Sequence, residues 1–298
     1  MSKKTLAIIA ATTVSLIYGV TFTVAKDVMP EFILPYGFIL MRVGGAVFLF
    51  WLIWGLLMLK KPSDFQKIDS FDFIRIIAAA FFGVALNMLT FFKGLSYTSP
   101  ISAAVIMVTT PIIVLLLSAI MVKEKINLRM AFGVILGLLG TIFLILYGKS
   151  MGNTSNAVLG NFLVFVNAVS YGFYLIVVKK LMLKYNVFTF VKWIYLFGFL
   201  MVLPFGFSEF QRVVWVGIPH TAMLKIGFVI IFSTFFTYLL NLLSMKELKP
   251  TTISVFIYLQ PLFASLFAIG LGKDEMNWVK FCSSILIFTG VYLVTIKK

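Results

Sequence analysis

Residues 100–147 of the chain align with residues 250–297 at a constant offset of 150 and without a gap. Pro100 falls on Pro250, Pro111 on Pro261, Lys123 on Lys273, Asn127 on Asn277 and Gly140 on Gly290. Glu124 meets Asp274, which keeps the charge. A second alignment, offset by 153, sets Tyr18-Gly19, Val24 and Lys26 on Tyr171-Gly172, Val177 and Lys179. A chain that repeats itself once, in two hydrophobic halves, carries the sequence mark of a secondary transporter.

The apolar residues fall in runs close to the ~20 that cross a hydrocarbon core. Ten can be counted: 6–25, 36–58, 73–92, 100–121, 127–147, 157–178, 188–207, 221–243, 250–271 and 277–296, numbered here as spans one to ten. The third is the weakest, because it holds Arg75, Gly83 and Asn87. The chain is 61% hydrophobic and 12% charged, with a mean hydropathy of +1.08. A soluble domain has roughly 45–50% apolar and about 25% charged residues, so the string reads as an all-α polytopic membrane protein with ten transmembrane helices. The polar stretch 149–156 breaks the hydropathy and is rich in turn formers, which divides the chain into repeats 1–148 and 157–298. Each holds five spans. Five is odd, so equivalent helices cross in opposite senses and the two five-helix repeats are inverted about an axis in the membrane plane.

The net charge of +15 concerns topology rather than nucleic acid. With a cytoplasmic N-terminus, 16 of the 25 lysines and arginines fall on the inner side, 7 on the outer, and Arg42 and Lys192 lie within spans. That bias in short loops predicts both termini in the cytoplasm of a bacterial inner membrane. The first span follows Lys3 and Lys4 as a secretory signal would, but it is too long and no cleavage site precedes Lys26, so it reads as a retained helix. Asn153-Thr154-Ser155 matches a glycosylation pattern, a three-residue signal of little weight. Cys282 is the single cysteine, which excludes an intramolecular disulfide and reads as a small packing residue.

Arg42 stands seven residues into span two between Met41 and Val43. A charge at that depth costs at least about 2.5 kcal/mol, so it marks a functional candidate that faces a cavity or a cluster of carbonyls. Its planar fork suits a carboxylate or phosphate. Lys192 lies nearer the inner face and is read as snorkelling. Asp27, Glu31, Glu124, Glu209, Glu247, Asp274, Glu275 and His220 sit at span ends or in loops. No buried proton relay is visible, which favours a facilitator or exchanger over a tightly proton-coupled pump. There is no P-loop, no metal-ligand motif and no catalytic pairing; the chain calls for no enzyme activity, cofactor or metal.

Polar residues recur at mid-span in both halves: Asn87, Thr90, Thr109 and Thr110, then Asn167, Ser170, Thr237, Asn241, Tyr258 and Gln260. Each alone is ordinary interhelical glue, but as a set they predict a polar path. Thr110 and Gln260 form a repeat pair directly before Pro111 and Pro261. Those prolines remove a backbone hydrogen bond and predict a kink or hinge in spans four and nine. Tyr18-Gly19 and Tyr171-Gly172 lie mid-span in helices one and six.

Tyr-Gly in spans one and six, an arginine early in span two, Gly94-Leu95-Ser96-Tyr97-Thr98-Ser99-Pro100, Thr110-Pro111, Lys123-Glu124-Lys125, and Gly133, Gly137 and Gly140 occur in order. In that combination the chain resembles the EamA family of the drug/metabolite transporter superfamily, over about 6–147 and 157–296. Tyr18 stands where that family often has tryptophan, and Asp274-Glu275 where it commonly has Gly-Glu. The resemblance implies a central cavity lined by spans one to four and six to nine, with five and ten peripheral. It also implies export or exchange of small metabolites such as amino acids. A related reading is a sugar phosphate or nucleotide sugar, and one from another class is a non-transporting membrane subunit. The expectation is alternating access, with Tyr18, Arg42, Asn87, Thr110, Asn167, Tyr171, Asn241, Tyr258 and Gln260 binding substrate and Pro111 and Pro261 bending. The implied partners are a small-molecule substrate and membrane lipid, and the sequence leaves open a homodimer.

Overall fold

The computed structural model describes residues 2–29, 31–60, 67–97, 103, 106–146, 157–270 and 277–296. The polar stretch 149–156 lies outside them, as do Pro100, Lys273, Asp274 and Glu275. Among the described residues the chain is helix and loop, without a strand. That follows from the composition, because in hydrocarbon a helix satisfies every backbone group within its own segment.

Span one is the helix Lys3–Lys26, span two Pro35–Lys60, span six Ala157–Met182 and span seven Val187–Gln211. Span three runs as Ser70–Ala80, passes through a π-helical stretch at Phe81–Ala85 and resumes as Leu86–Tyr97. Span eight repeats that plan: His220–Phe228, a π-helical stretch at Val229–Phe236, then Thr237–Glu247. Span nine is Pro250–Val255, a 3-10 turn at Phe256–Tyr258, and Leu259–Gly270. Spans four, five and ten contribute Thr110–Met121, Leu128–Leu146 and Trp278–Thr295. Seven of the ten are long and apolar enough to cross a membrane by themselves, and these last three are the shorter apolar ones among the described residues. The protein is an all-α polytopic membrane protein.

The packing obeys the two-fold relation that the sequence repeat demands. Spans two and seven pair with each other, as do five and ten. Span one packs on spans eight and nine, and its counterpart, span six, packs on three and four. Spans one and eight run antiparallel, as do three and six: Ser244 bonds the carbonyl of Ala7 while Thr237 meets Tyr18, and Asn167 meets Asn87 while Lys184 meets Asp69. Spans five and ten cross at small residues. A Cβ on Gly133 would lie 2.8 Å from the carbonyl oxygen of Gly290, and one on Gly140 would lie 2.9 Å from that of Ser283. At the offset of 150 these are the same contact, seen from the two sides of the axis.

Both termini reach one face of the bundle. Lys4 Nζ donates to the carbonyl of Thr295 at 2.5 Å, and Arg129 Nη2 to that of Ile296 at 2.7 Å. Two cations thereby cap the C-terminal end of span ten, where the helix dipole is negative. The N-terminal end of span two is capped from another helix: Glu209 Oε2 accepts from the backbone N–H groups of Tyr36 and Gly37 at 2.7 and 3.0 Å. Phe48, Leu52, Phe132, Phe143, Phe162 and Phe288 turn outward, as lipid-facing residues would.

Candidate functional site

Spans one, two, three, four, six, eight and nine enclose a cavity of about 970 Å³, counting its open mouth. Its wall begins at mid-depth with Tyr171, Tyr238 and Gln260 and climbs past Asn87 and Phe91 to Leu95 and Met29 near the ends of spans three and one. It therefore opens towards the face away from the termini. Spans five and ten contribute nothing to the wall among the described residues, and neither does span seven, which lies behind span two.

Arg42 lies in this wall and is 5% exposed. Its Nε donates to Thr234 Oγ1 at 3.1 Å, and its guanidinium carbon stands 5.4 Å from the ring centre of Phe92 and 5.9 Å from that of Phe38. The hydroxyl of Thr234 in turn donates to the carbonyl of Val229, five residues back. That spacing belongs to the π-helical stretch of span eight, so the irregular turn is what brings Thr234 under the arginine. Among the described residues no acidic group pairs with Arg42 and no protein acceptor meets its two terminal nitrogens. The planar fork is left to the cavity, in a setting where a guanidinium binds carboxylate in two parallel hydrogen bonds.

The deeper wall is uncharged. Asn167 Nδ2 donates to the backbone carbonyl of Asn87 at 2.7 Å, and Asn87 Nδ2 reaches that of Asn167 at 3.4 Å. One turn on, Ser170 donates to the carbonyl of Phe82 and the hydroxyl of Tyr238 donates to that of Gly83. Both carbonyls belong to the π-helical stretch of span three, whose loosened ladder needs outside donors. Below Tyr238 the terminal side is filled by rings: Tyr174 lies 6.0 Å and Tyr195 5.0 Å from it, Phe50 packs tilted against Tyr195 at 4.9 Å and Phe235 against Phe50 at 4.6 Å.

Polar clasps close the terminal face around that plug. Glu124, 5% exposed in its side chain, accepts from Thr251 Oγ1 at 3.1 Å and faces Lys249 Nζ at 3.3 Å, joining the two halves. Lys184 donates to Asp69 and Asp72 at 2.7 and 2.6 Å, Tyr185 donates to Asp72 at 2.8 Å, and Arg75 completes the ring. The hydrogen bond from Lys184 holds Asp69 below the usual carboxylate range, and the bonds from Asp69 and Asp72 hold Lys184 above the usual lysine range.

Of the residues singled out from sequence, Tyr18, Arg42, Asn87, Asn167, Tyr171 and Gln260 share the cavity. Thr110, Asn241 and Tyr258 do not line it. Thr110 is fully buried and turns its hydroxyl back to the carbonyl of Met107 at 2.6 Å. Tyr258 is fully buried and lays its ring against Gly137 of span five, where a Cβ would collide with it. Asn241 is 7% exposed one turn beyond Tyr238, on the terminal side of the wall. Lys192 neither snorkels nor reaches the cavity: it is 5% exposed, with Trp51, Trp54 and Trp193 around its ammonium at 4.5, 2.8 and 5.4 Å. Such rings stabilise a desolvated cation through their quadrupoles.

The prolines break their helices a little upstream of themselves. Pro111 stands second in the helix Thr110–Met121, after a turn at residues 108–109, and Pro261 follows the 3-10 turn Phe256–Tyr258. Proline leaves the carbonyl four residues earlier without its helical donor, and those carbonyls belong to Met107 and Ile257, which are repeat mates and both line the cavity. Hydroxyls mend the neighbouring turn: Thr109 donates to Ile106 at 2.6 Å, and Ser15 of span one to Phe256 at 2.8 Å. Sequence reasoning passed over Tyr238, Ser233 and Phe92 in the wall, and Asp72, which is 1% exposed in the first turn of span three. Phe92 and Tyr238 carried no signal that set them apart among 33 phenylalanines and 11 tyrosines.

The sequence pattern described as the EamA-like transporter family matches residues 5–146 and again 158–296. An uncharacterized transporter of Archaeoglobus fulgidus is 26% identical over 301 residues, covering 100% of this chain and 99% of its own length. A second from that organism is 28% identical over 291 residues, with 98% and 99% covered. The uncharacterized transporter YoaV of Bacillus subtilis is 27% identical over 299 residues, with 99% and 97% covered. A solved crystal structure superposes with a TM-score of 0.75 at 16% identity over 96% of this chain and 95% of that one, a likeness of fold.

Proposed function

The chain belongs to the EamA-like transporter family, and from that premise we propose that it exports or exchanges small metabolites such as amino acids by alternating access between its two five-helix halves. The observation that carries this reading is Arg42, a cation in the cavity wall whose terminal nitrogens have no protein partner among the described residues. It is the single charged residue in that wall among the described residues. One guanidinium, amides below it and an apolar rim of Met29, Met88, Phe91 and Leu95 fit a small carboxylate with an apolar body. A sugar phosphate or nucleotide sugar, with more negative charge, calls for a second cation, and Lys192 is enclosed by tryptophans instead.

No Asp, Glu or His lines the cavity among the described residues, which supports a carrier driven by the solute gradient. The excess of lysine and arginine on the terminal face supports a bacterial inner membrane with both termini in the cytoplasm. The cavity in this structure then faces outward, and the ring plug at Tyr238, Tyr174 and Tyr195 is the closed inner gate.

Flux of a mixed amino-acid pool against sugar phosphates into proteoliposomes, with and without a pH gradient, tests the reading. Amino-acid flux that is indifferent to the gradient and lost in Arg42→Ala, with the protein still folded, is the expected result. Flux of sugar phosphates alone, or unchanged amino-acid flux in Arg42→Ala, would overturn it.

A further inference from the structure

The two asparagines deep in the cavity are tied through one N–H of each side-chain amide, which leaves each side-chain oxygen without a donor. Each spends its Nδ2 on the other's backbone carbonyl, at 2.7 Å for Asn167 and 3.4 Å for Asn87. A carbonyl partner accepts only from an N–H, so each side-chain oxygen is turned away from that bond. Asn167 Oδ1 is buried without a donor, and Asn87 Oδ1 meets none among the described residues. Asn167 Oδ1 is enclosed, whereas Asn87 Oδ1 is not, so it is the oxygen of Asn87 that a ligand proton arriving from the cavity can reach.

The position of the pair relative to Arg42 decides what that ligand looks like. The guanidinium sits beside Phe92, and Asn87 lies five residues deeper on the same helix, about 7.5 Å of rise. A hydrogen bond of about 2.9 Å at either end leaves only a short piece of ligand between them. A donor close to the anionic group, on the neighbouring carbon or the next, fits that span.

We infer that Asn87 is a specificity-determining residue: its side-chain oxygen accepts a hydrogen bond from an ammonium or hydroxyl next to the carboxylate held by Arg42, and Asn167 is the positioning residue that fixes its orientation. This rests on the proposed function of the cavity, and sharpens it to 2-amino and 2-hydroxy carboxylates as against plain carboxylates. Neither amide is charged, so the pair reads the presence of a donor rather than its charge. Discrimination arises because an analogue lacking the donor covers the Asn87 oxygen and leaves it unpaired.

Three probes share one apolar body and one carboxylate: L-phenylalanine, 3-phenyllactate and 3-phenylpropanoate. Their binding to the purified wild type, Asn87→Leu and Asn87→Asp in detergent, read by protection against thermal unfolding and by competition, forms the test. The wild type should prefer the first two over 3-phenylpropanoate by roughly ten- to a hundred-fold. Asn87→Leu should erase that preference, bringing L-phenylalanine and 3-phenyllactate down to the level of 3-phenylpropanoate. Should Asn87→Leu fail to fold, Asn87→Asp should favour phenylalanine over phenyllactate, because a carboxylate there reads charge. Equal binding of all three by the wild type, or a preference that survives Asn87→Leu, would overturn the inference and leave the carboxylate anchor standing. Failure of all three to bind would overturn the anchor along with it.

Discussion

Arg42 and Thr234 come from different halves of the chain, and the Nε of the first donates to the hydroxyl oxygen of the second at 3.1 Å. One proton of the arginine is thereby spent on holding it, and the fork at its tip stays open to the cavity. Arg42→Lys keeps the charge and loses the fork, so substrate affinity should fall roughly ten-fold or more. Thr234→Val leaves the buried Nε without an acceptor, at about 1.5–3 kcal/mol for a bond to a charged group. Binding titrations and unfolding curves on the two variants should therefore separate, the first losing affinity and the second stability as well.

Tyr238 fastens span eight to span three through the carbonyl of Gly83. Tyr238→Phe keeps the ring contacts with Tyr174 and Tyr195 and removes only the donor. The buried carbonyl is then unsatisfied, which should lower stability by about 1–3 kcal/mol. The check is the unfolding midpoint in detergent, and an unchanged midpoint would show that the bond does not hold the π-helical stretch.

Gly290 tests the axis of the repeat. A Cβ there would stand 2.6 Å from both the carbonyl oxygen of Gly133 and the amide nitrogen of Gly137, so spans five and ten would have to part. Gly290→Ala should destabilise by about 1–3 kcal/mol, as overpacking does. At Gly55 nothing lies within 4 Å of such an atom, and Gly55→Ala should stay within about 0.5 kcal/mol of the wild type.

Lys123 holds a backbone φ of 54°, and its loop lets the N–H of Glu124 reach back to the carbonyl of Ser118 at 3.1 Å. This is a helix C-terminus of the kind normally closed by glycine. A left-handed conformation costs a side-chain-bearing residue roughly 1–2 kcal/mol. Lys123→Gly should raise the unfolding free energy by up to about 1 kcal/mol after the added freedom of the unfolded chain is subtracted, read as a higher unfolding midpoint.

Asp69 and Lys184 predict a pH profile. Asp69 is held below its usual range by the bond from Lys184, so its contribution is present above the unfolded carboxylate pKa near 3.9 and fades as pH falls through its lowered value. Lys184 is held above its usual range by Asp69 and Asp72, so its contribution is complete below about 10.4 and fades as pH rises beyond it. Stability should be level between about pH 5 and 10. Lys184→Met should lower that plateau, because Asp72, 1% exposed, loses a cationic partner; thermal unfolding across pH reads both effects.

The repeat, the ten spans and the sharing of one cavity by Tyr18, Arg42, Asn87, Asn167, Tyr171 and Gln260 were legible because each rests on local chemistry. Apolar length makes a membrane helix, an inward-facing charge is too costly to be accidental, and an odd number of helices inverts the second half. What tertiary structure alone decided is which way each polar group turns. Thr110 and Gln260 are repeat mates, yet the hydroxyl bonds its own helix and the longer amide reaches the cavity. Tyr258 carries the same side chain as Tyr238, but its neighbour is a glycine of span five and that of Tyr238 is a carbonyl exposed by a π-helical stretch. Lys192 could not be placed from its depth, because three tryptophans from two helices surround it only after spans two and seven pair. Hydropathy and spacing report the cost of burying a group. The direction it faces depends on whether a partner arrives across the helix interface, from residues eighty or more positions away.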